Sequence, residues 1–144
     1  MNKKTMPLDL FTSKCRENNL KITPQRIAIY QQLIKDCSHP SADDVYKKIR
    51  KKFPNISFDT VNRTLLSFAQ VGIIKFSEHY GGQKRFDADI ELHHHLSCIK
   101  CHRIIDFAND EYDNLKIPSS IKNRYTILGK KVVLEAICDK CKSK

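Results

Sequence analysis

"PNISFDTVNRTLLSFAQVGIIKFSEHYGGQKRFD", residues 54–87, changes its hydrophobic period halfway along, and that change decides the fold. In the first half, Val61, Leu65 and Phe68 recur at helical spacing behind Ser57, a residue suited to cap a helix, and Gly72 stands where the helix would stop. The second half reads as two short strands, Ile73–Ser77 and Gln83–Asp87, joined by a turn containing Gly81 and Gly82. A helix followed by a hairpin is therefore expected. On the helix face opposite the apolar one, near its start, lie Thr60, Asn62, Arg63 and Thr64.

Two more helices are expected upstream. Thr23 and Pro24 supply a cap and a proline at the first helical position, and Ile27, Tyr30, Leu33 and Ile34 continue the helical period to about Asp36. Ser41 caps the next helix, with Asp44 in the place of a capping-box acid and Val45 and Ile49 facing inward. Lys47, Lys48, Arg50, Lys51 and Lys52 follow toward its C-terminus, where cations either complement the helix dipole or touch a polyanion. Helices followed by a hairpin predict a winged helix-turn-helix. Thr60, Asn62, Arg63 and Thr64 then occupy the first turns of the second helix, from which side chains reach base edges and phosphates in the major groove. Lys84, Arg85, His79 and Tyr80 on the hairpin are candidates for contact with the DNA backbone or minor groove.

Charge agrees with a nucleic-acid partner. The chain carries +10 over 144 residues; residues 1–90 hold 16 Lys and Arg against 9 Asp and Glu, a net of +7, and residues 91–144 hold 10 against 7, a net of +3. With 40% apolar and 29% charged residues the composition is that of a globular protein rather than a disordered one. No apolar run is long enough for a secretion signal or a membrane span. A cytoplasmic chain is expected, in which six cysteines serve as metal ligands or free thiols rather than disulfides.

Domain boundaries are expected at 1–87 for the DNA-binding part, 88–91 for a hinge and 92–144 for a smaller α/β part. The latter should contain strands at "HHHLSC" and "HRIIDF", a helix near 109–117 and strands near 124–128 and 131–137. So few apolar residues cannot build a generous core without a staple. Cys98 with Cys101, and Cys138 with Cys141, form two C-x-x-C pairs suited to one tetrahedral zinc ion; a redox dithiol would need only one pair. Cys15 and Cys37 stand apart as ordinary or free thiols. On a strand, His93 and His95 point to one face and His94 to the other. Asp87 and Asp106 on neighbouring extended segments supply oxygens, giving a nitrogen and oxygen site suited to iron, manganese or zinc. Two histidines and a carboxylate also make the facial triad of an iron oxygenase, but the second part has no room for a substrate pocket, so an enzyme is not expected.

Taken in order, "TPQRIAIYQQL", "HPSADDVY", "FPNISFDTVNRTLLSFAQVGII", "RFD", "HHHLSC" and the two C-x-x-C pairs resemble the ferric uptake regulator family over nearly the whole chain. The resemblance implies an α+β homodimeric transcription regulator, with a winged helix and a zinc-stapled α/β dimerisation domain, acting on a double-stranded operator of inverted-repeat form. It implies that Cys98, Cys101, Cys138 and Cys141 hold structural Zn(2+), and that His39, Asp87, His93, His95 and Asp106 hold a regulatory Fe(2+) or Mn(2+). His39 enters only through the resemblance. Asp106 is similar to the aspartate of the peroxide-responsive PerR branch, in which iron chemistry oxidises a histidine ligand, by position His39 or His93. A plain iron- or manganese-responsive regulator is the alternative. The chain departs from the family at Asn62, where tyrosine is common, and at Asp59, where a small residue is usual.

Overall fold

The computed structural model describes residues 8–36, 38–77 and 83–143, which divide into two compact units, Met1–Ile90 and Glu91–Lys144. The expected roles of Cys37, His79, Tyr80, Gly81 and Gly82 fall outside the described residues. No helix among the described residues is long and apolar enough to cross a membrane.

The first unit is helical, with α1 Leu8–Glu17, α2 Pro24–Lys35, α3 Ala42–Ile49 and α4 Phe58–Gln70, followed by strands β1 Lys75–Ser77 and β2 Arg85–Asp87. The capping chemistry read from the sequence is realised. Thr23 accepts from Arg26 N–H, Ser41 and Asp44 close a reciprocal capping box, and Ser57 accepts from Thr60 N–H. The end of α4 explains why the first strand is shorter than Ile73–Ser77. Gly72 takes φ 80°, its N–H bonds to Ala69 O and that of Ile73 to Phe68 O, a Schellman closure that turns Ile73 and Ile74 into the core before pairing begins at Lys75.

The helix α1 was not anticipated. It buries Phe11 and Cys15, and closes like α4, with Asn19 at φ 58° and Leu20 N–H bonded to Cys15 O. Phe11 stacks on Tyr30 at 4.3 Å, and both meet Phe68 edge-on at 5.4 and 6.4 Å, the centre of a core that includes Ile29, Leu33, Val45 and Leu65. Ala88 is buried in this core and Ile90 packs against it. β1 and β2 pair antiparallel with Phe76 opposite Phe86, and a bridge from Ser41 to Arg85 ties the start of α3 to the hairpin.

The second unit is a three-stranded sheet in the order β4-β3-β5, with β3 His94–Cys98 antiparallel to β4 Ile104–Phe107 and parallel to β5 Val133–Ala136. Single helical turns α5 Asp110–Asp113, α6 Ser119–Lys122 and α7 Asp139–Lys142 connect or follow the strands. The helix expected over 109–117 is only one turn, capped by Asn109, because Tyr112 and Leu115 are too few apolar residues to hold a longer one. No strand forms at 124–128. Tyr125 and Leu128 are 56% and 96% exposed, so this alternating stretch has no sheet edge to pair with and no core to fill within the unit.

Candidate metal centres and nucleic-acid face

Parallel pairing of β3 with β5 brings the two C-x-x-C turns together. Cys98 ends β3 opposite Ala136, and Ile99 N–H bonds to Ala136 O, so the chain leaving β5 delivers Cys138 beside Cys98. The sulfurs of Cys98, Cys101, Cys138 and Cys141 all lie within 4.8 Å of one another, and those of Cys101 and Cys138 are 3.7 Å apart. Tetrahedral zinc with bonds of about 2.3 Å requires sulfurs roughly 3.8 Å apart. The donor set therefore fits structural zinc. Backbone N–H groups of Cys101 and Cys138 point at Cys98 Sγ from 3.5 and 3.4 Å, and chiefly these hold the Cys98 thiol down to about 5. Cys138 is lowered as well, first by the Cys141 N–H, whereas Cys141 is raised because its thiol hydrogen-bonds to Cys138. His102 at φ 62° turns the chain out of the first pair. Arg103 and Asp139, beside the two turns, form an ion pair.

The three histidines separate as alternation requires. His95 sits opposite Asp106 in the β3–β4 register, with Nε2 at 3.2 Å from Asp106 Oδ1; His93 Nε2 lies 3.5 Å from the same oxygen and 2.9 Å from His95 Nε2. His93 Nδ1 donates to Glu91 O at 2.8 Å, which fixes the tautomer and leaves the Nε2 lone pair facing the cluster. A histidine lone pair, a carboxylate and a second imidazole thus converge on one point. These atoms make a nitrogen and oxygen half-site of the kind iron or manganese accepts.

His94 faces the other way. Its Nδ1 accepts from Val132 N–H at 3.0 Å, so Nε2 carries the proton donated to Asp113 at 2.7 Å, and the buried ring is flanked by Phe107 and Tyr112. Neither Asp113 nor Val132 was singled out in the sequence, because nothing in spacing links them to His94.

In the first unit, His39 and Asp87 are 0% and 2% exposed, with His39 Nδ1 3.4 Å from Asp87 Oδ2 and 2.6 Å from Ser77 Oγ. His39 holds φ 58° immediately before Pro40, a backbone state that costs a residue other than glycine about 1–3 kcal/mol. This strained histidine faces a buried carboxylate. Ser77 is a further residue that sequence reasoning missed, since its partner is distant along the chain.

On α4, Thr60 and Arg63 are exposed and Asn62 is half-buried. Arg63 Nε is 2.9 Å from Asp59 Oδ2, which leaves the two Nη groups outward. Thr64 departs from the expectation that it shares this face: it is buried, and its hydroxyl donates to Thr60 O at 2.8 Å. An open cavity of about 360 Å³ runs between this face and the start of α2, lined by Lys21, Gln25, Arg26, Asp59 and Arg63 among others.

Comparison with known proteins agrees with this architecture. The model of the ferric uptake regulator family matches residues 17–141. The peroxide-responsive repressor PerR of Staphylococcus epidermidis is 34% identical over 127 residues, covering 88% of this chain and 85% of that protein. The peroxide operon regulator of Bacillus subtilis is 32% identical over 129 residues, covering 90% and 89%. Among solved structures, the Helicobacter pylori ferric uptake regulator Fur, described as having three functional metal-binding sites, superposes with a TM-score of 0.79 at 26% identity over 94% of this chain and 91% of that one. Proteins of this family are transcription regulators rather than enzymes; they bind DNA operators and dimerise. With its helical DNA-binding unit, its four-cysteine cluster and its histidine and aspartate ligands, the chain belongs to the ferric uptake regulator family and is a metal-dependent transcription regulator.

Proposed function

We propose that this chain is a peroxide-sensing repressor, a homodimer that holds an inverted-repeat operator while a regulatory ion is bound and releases it when a histidine ligand is oxidised. The observation that carries the reading is the convergence of His93, His95 and Asp106, a sulfur-free donor set suited to iron or manganese. The relatives named for peroxide response support the choice of signal.

His39 and Asp87 join His93, His95 and Asp106 as ligands of the regulatory ion in this reading. An ion that binds the operator-competent state more tightly favours that state, and by linkage operator binding tightens metal binding by the same factor. Two copies related by a two-fold axis present two α4 helices to successive half-sites, which is why the operator should be an inverted repeat. Thr60, Asn62, Arg63 and Thr64 belong to that interface, with Thr64 acting from beneath through Thr60. Asn62 can bond an adenine edge. Ferrous iron, when bound, would give one electron to cleave the O–O bond of peroxide; overall the histidine ring loses two electrons, one peroxide oxygen entering the ring and the other leaving as water. His39 and His93 are the rings proposed to gain oxygen, and an oxidised ring is a poorer ligand, so the ion and then the operator are lost. Cys98, Cys101, Cys138 and Cys141 hold zinc throughout and keep the dimer folded.

Peptide mass spectrometry tests the proposal, after anaerobic loading with ferrous iron and brief exposure to peroxide, with the manganese form as control. A one-oxygen gain on the His39 or His93 peptide, seen only with iron and accompanied by loss of DNA binding, is the expected result. Unmodified histidines in a protein that still binds DNA when metal is added would instead leave an iron- or manganese-responsive regulator, the reading favoured by the likeness to Fur structures.

A further inference from the structure

The basic run at the end of α3 is used neither by a metal centre nor by the α4 face. Two of its five cations are already neutralised: Lys47 Nζ lies 2.8 Å from Asp43 Oδ2, and Lys48 Nζ lies 3.0 Å from Asp36 Oδ2. Arg50, Lys51 and Lys52 are exposed and make no ion pair with any described carboxylate. They do not sit on a loose tail. Lys52 and Phe53 N–H both bond to Ile49 O, at 3.0 and 2.9 Å, and Ile56 N–H bonds to Phe53 O, so the corner between α3 and α4 is tightly closed.

Two side chains of this corner lie over rings, Lys52 with its Nζ 5.8 Å from the centroid of Phe53, and Arg50. The Arg50 guanidinium lies 5.7 Å from the centroid of Tyr46, and Tyr46 meets edge-on, at 5.8 Å, the ring of Phe58, the first residue of α4. A guanidinium stacked by its face keeps its N–H edge open to an anion. Cations complementing the helix dipole are needed only in the last turn, which Lys47 and Lys48 already occupy. Three further adjacent like charges repel one another unless an anion covers them.

We propose that Arg50, Lys51 and Lys52 form a phosphate-contacting arm that engages the duplex backbone alongside the groove entered by α4. The inference rests on the reading that α4 enters DNA. The arm positions the protein and adds affinity without reading sequence.

The test uses the full chain loaded with zinc and manganese, a fluorescent duplex recovered by selection from a random library, and its scrambled counterpart, titrated across a salt series. R50Q/K51Q/K52Q should lower the slope of log affinity against log salt by about 0.9 per residue and per bound copy, on both duplexes and with their affinity ratio unchanged. K47Q/K48Q, per charge removed, should change it far less, whereas R63A should erode the ratio between duplexes. A triple variant whose slope equals that of the wild type, or falls per charge only as far as K47Q/K48Q, overturns the arm. So does a lowered melting temperature with an unchanged slope, which would assign the run to the helix dipole. If R63A destroys the preference while the triple variant keeps its slope, the arm alone fails; if the wild type prefers neither duplex, the α4 reading falls and the arm with it.

Discussion

The two units solve the same problem of stability by different means. Phe11, Tyr30, Phe68 and their neighbours give the first unit a continuous apolar core, whereas among the described residues of the second the buried hydrophobic side chains are Cys98, Ile104 and Cys138. In the first unit, burial at about 1.5–3 kcal/mol per large side chain outweighs chain entropy. Nothing comparable is available to the second. What it offers instead is the four-cysteine cluster and exposed apolar side chains such as Leu92, Leu115 and Leu134, so a zinc ion held by the cysteines would couple folding of this unit to metal loading.

The most severe test of this contrast is removal of the zinc shell. Binding of a structural zinc ion is worth on the order of 10 kcal/mol or more, so C98S or C138S should abolish zinc content and unfold the second unit, while the helical unit keeps a cooperative melt. Hydrogen exchange resolved by peptide would show it; protected β3 amides in zinc-free C98S would sink the contrast. F68A makes the converse experiment. Loss of this ring from beneath Phe11 and Tyr30 should cost the first unit about 3–5 kcal/mol in denaturant unfolding and leave zinc stoichiometry unchanged. A smaller effect sharpens the comparison at the proposed regulatory ligands. S77A removes the hydroxyl 2.6 Å from His39 Nδ1 and should weaken manganese binding roughly 10- to 100-fold without loss of zinc, as read by competition titration.

The smallest expected effect is a pH dependence confined to the first unit. Burial raises the Asp36 carboxyl, but the Ser38 hydroxyl and N–H and the Lys48 ammonium outweigh it and leave Asp36 below the usual carboxylate range. A depressed value means that Asp36 contributes stability above its unfolded pKa of about 3.9 and loses it as pH falls through the folded value. The gap in melting temperature between wild type and D36N should therefore be constant near neutrality and close below about pH 4. A gap that widens on acidification would reverse the sign assigned to this carboxylate.

The contrast also explains what the sequence made legible. Helices α2, α3 and α4 were readable because caps and apolar period agree locally; α2 runs from Pro24 to Lys35, one residue short of the expected end. The cysteine pairs and the alternation of His93, His94 and His95 were readable because they depend on spacing within a few residues. Helix α1 escaped although Phe11 and Cys15 stand four apart and Asn18–Asn19 follow, since one apolar pair makes a weak periodic signal. His39 was reachable only by resemblance, because its neighbours Ser77 and Asp87 are brought in by the hairpin from far along the chain. Thr64 is buried although a threonine looks polar in sequence, because its hydroxyl is satisfied by Thr60 O and its methyl can be buried. The stretch 124–128 alternates like a strand, but alternation alone supplies no partner.

Three identical residues in a row are a poor marker of their own frame. Were β3 to slip by one position, His94 would stand alone before Asp106 and the two ligating rings would turn to the side of Phe107 and Tyr112, a change hydrophobicity alone would scarcely penalise. The bonds of His94 to Val132 N–H and Asp113 break that degeneracy, since a slipped strand would strand a buried imidazole without them. Correct reading of the tract is thus enforced by residues flanking the sheet, Val132 before β5 and Asp113 in α5. Insertions or deletions ahead of Leu92 should accordingly leave the same two rings turned toward Asp106.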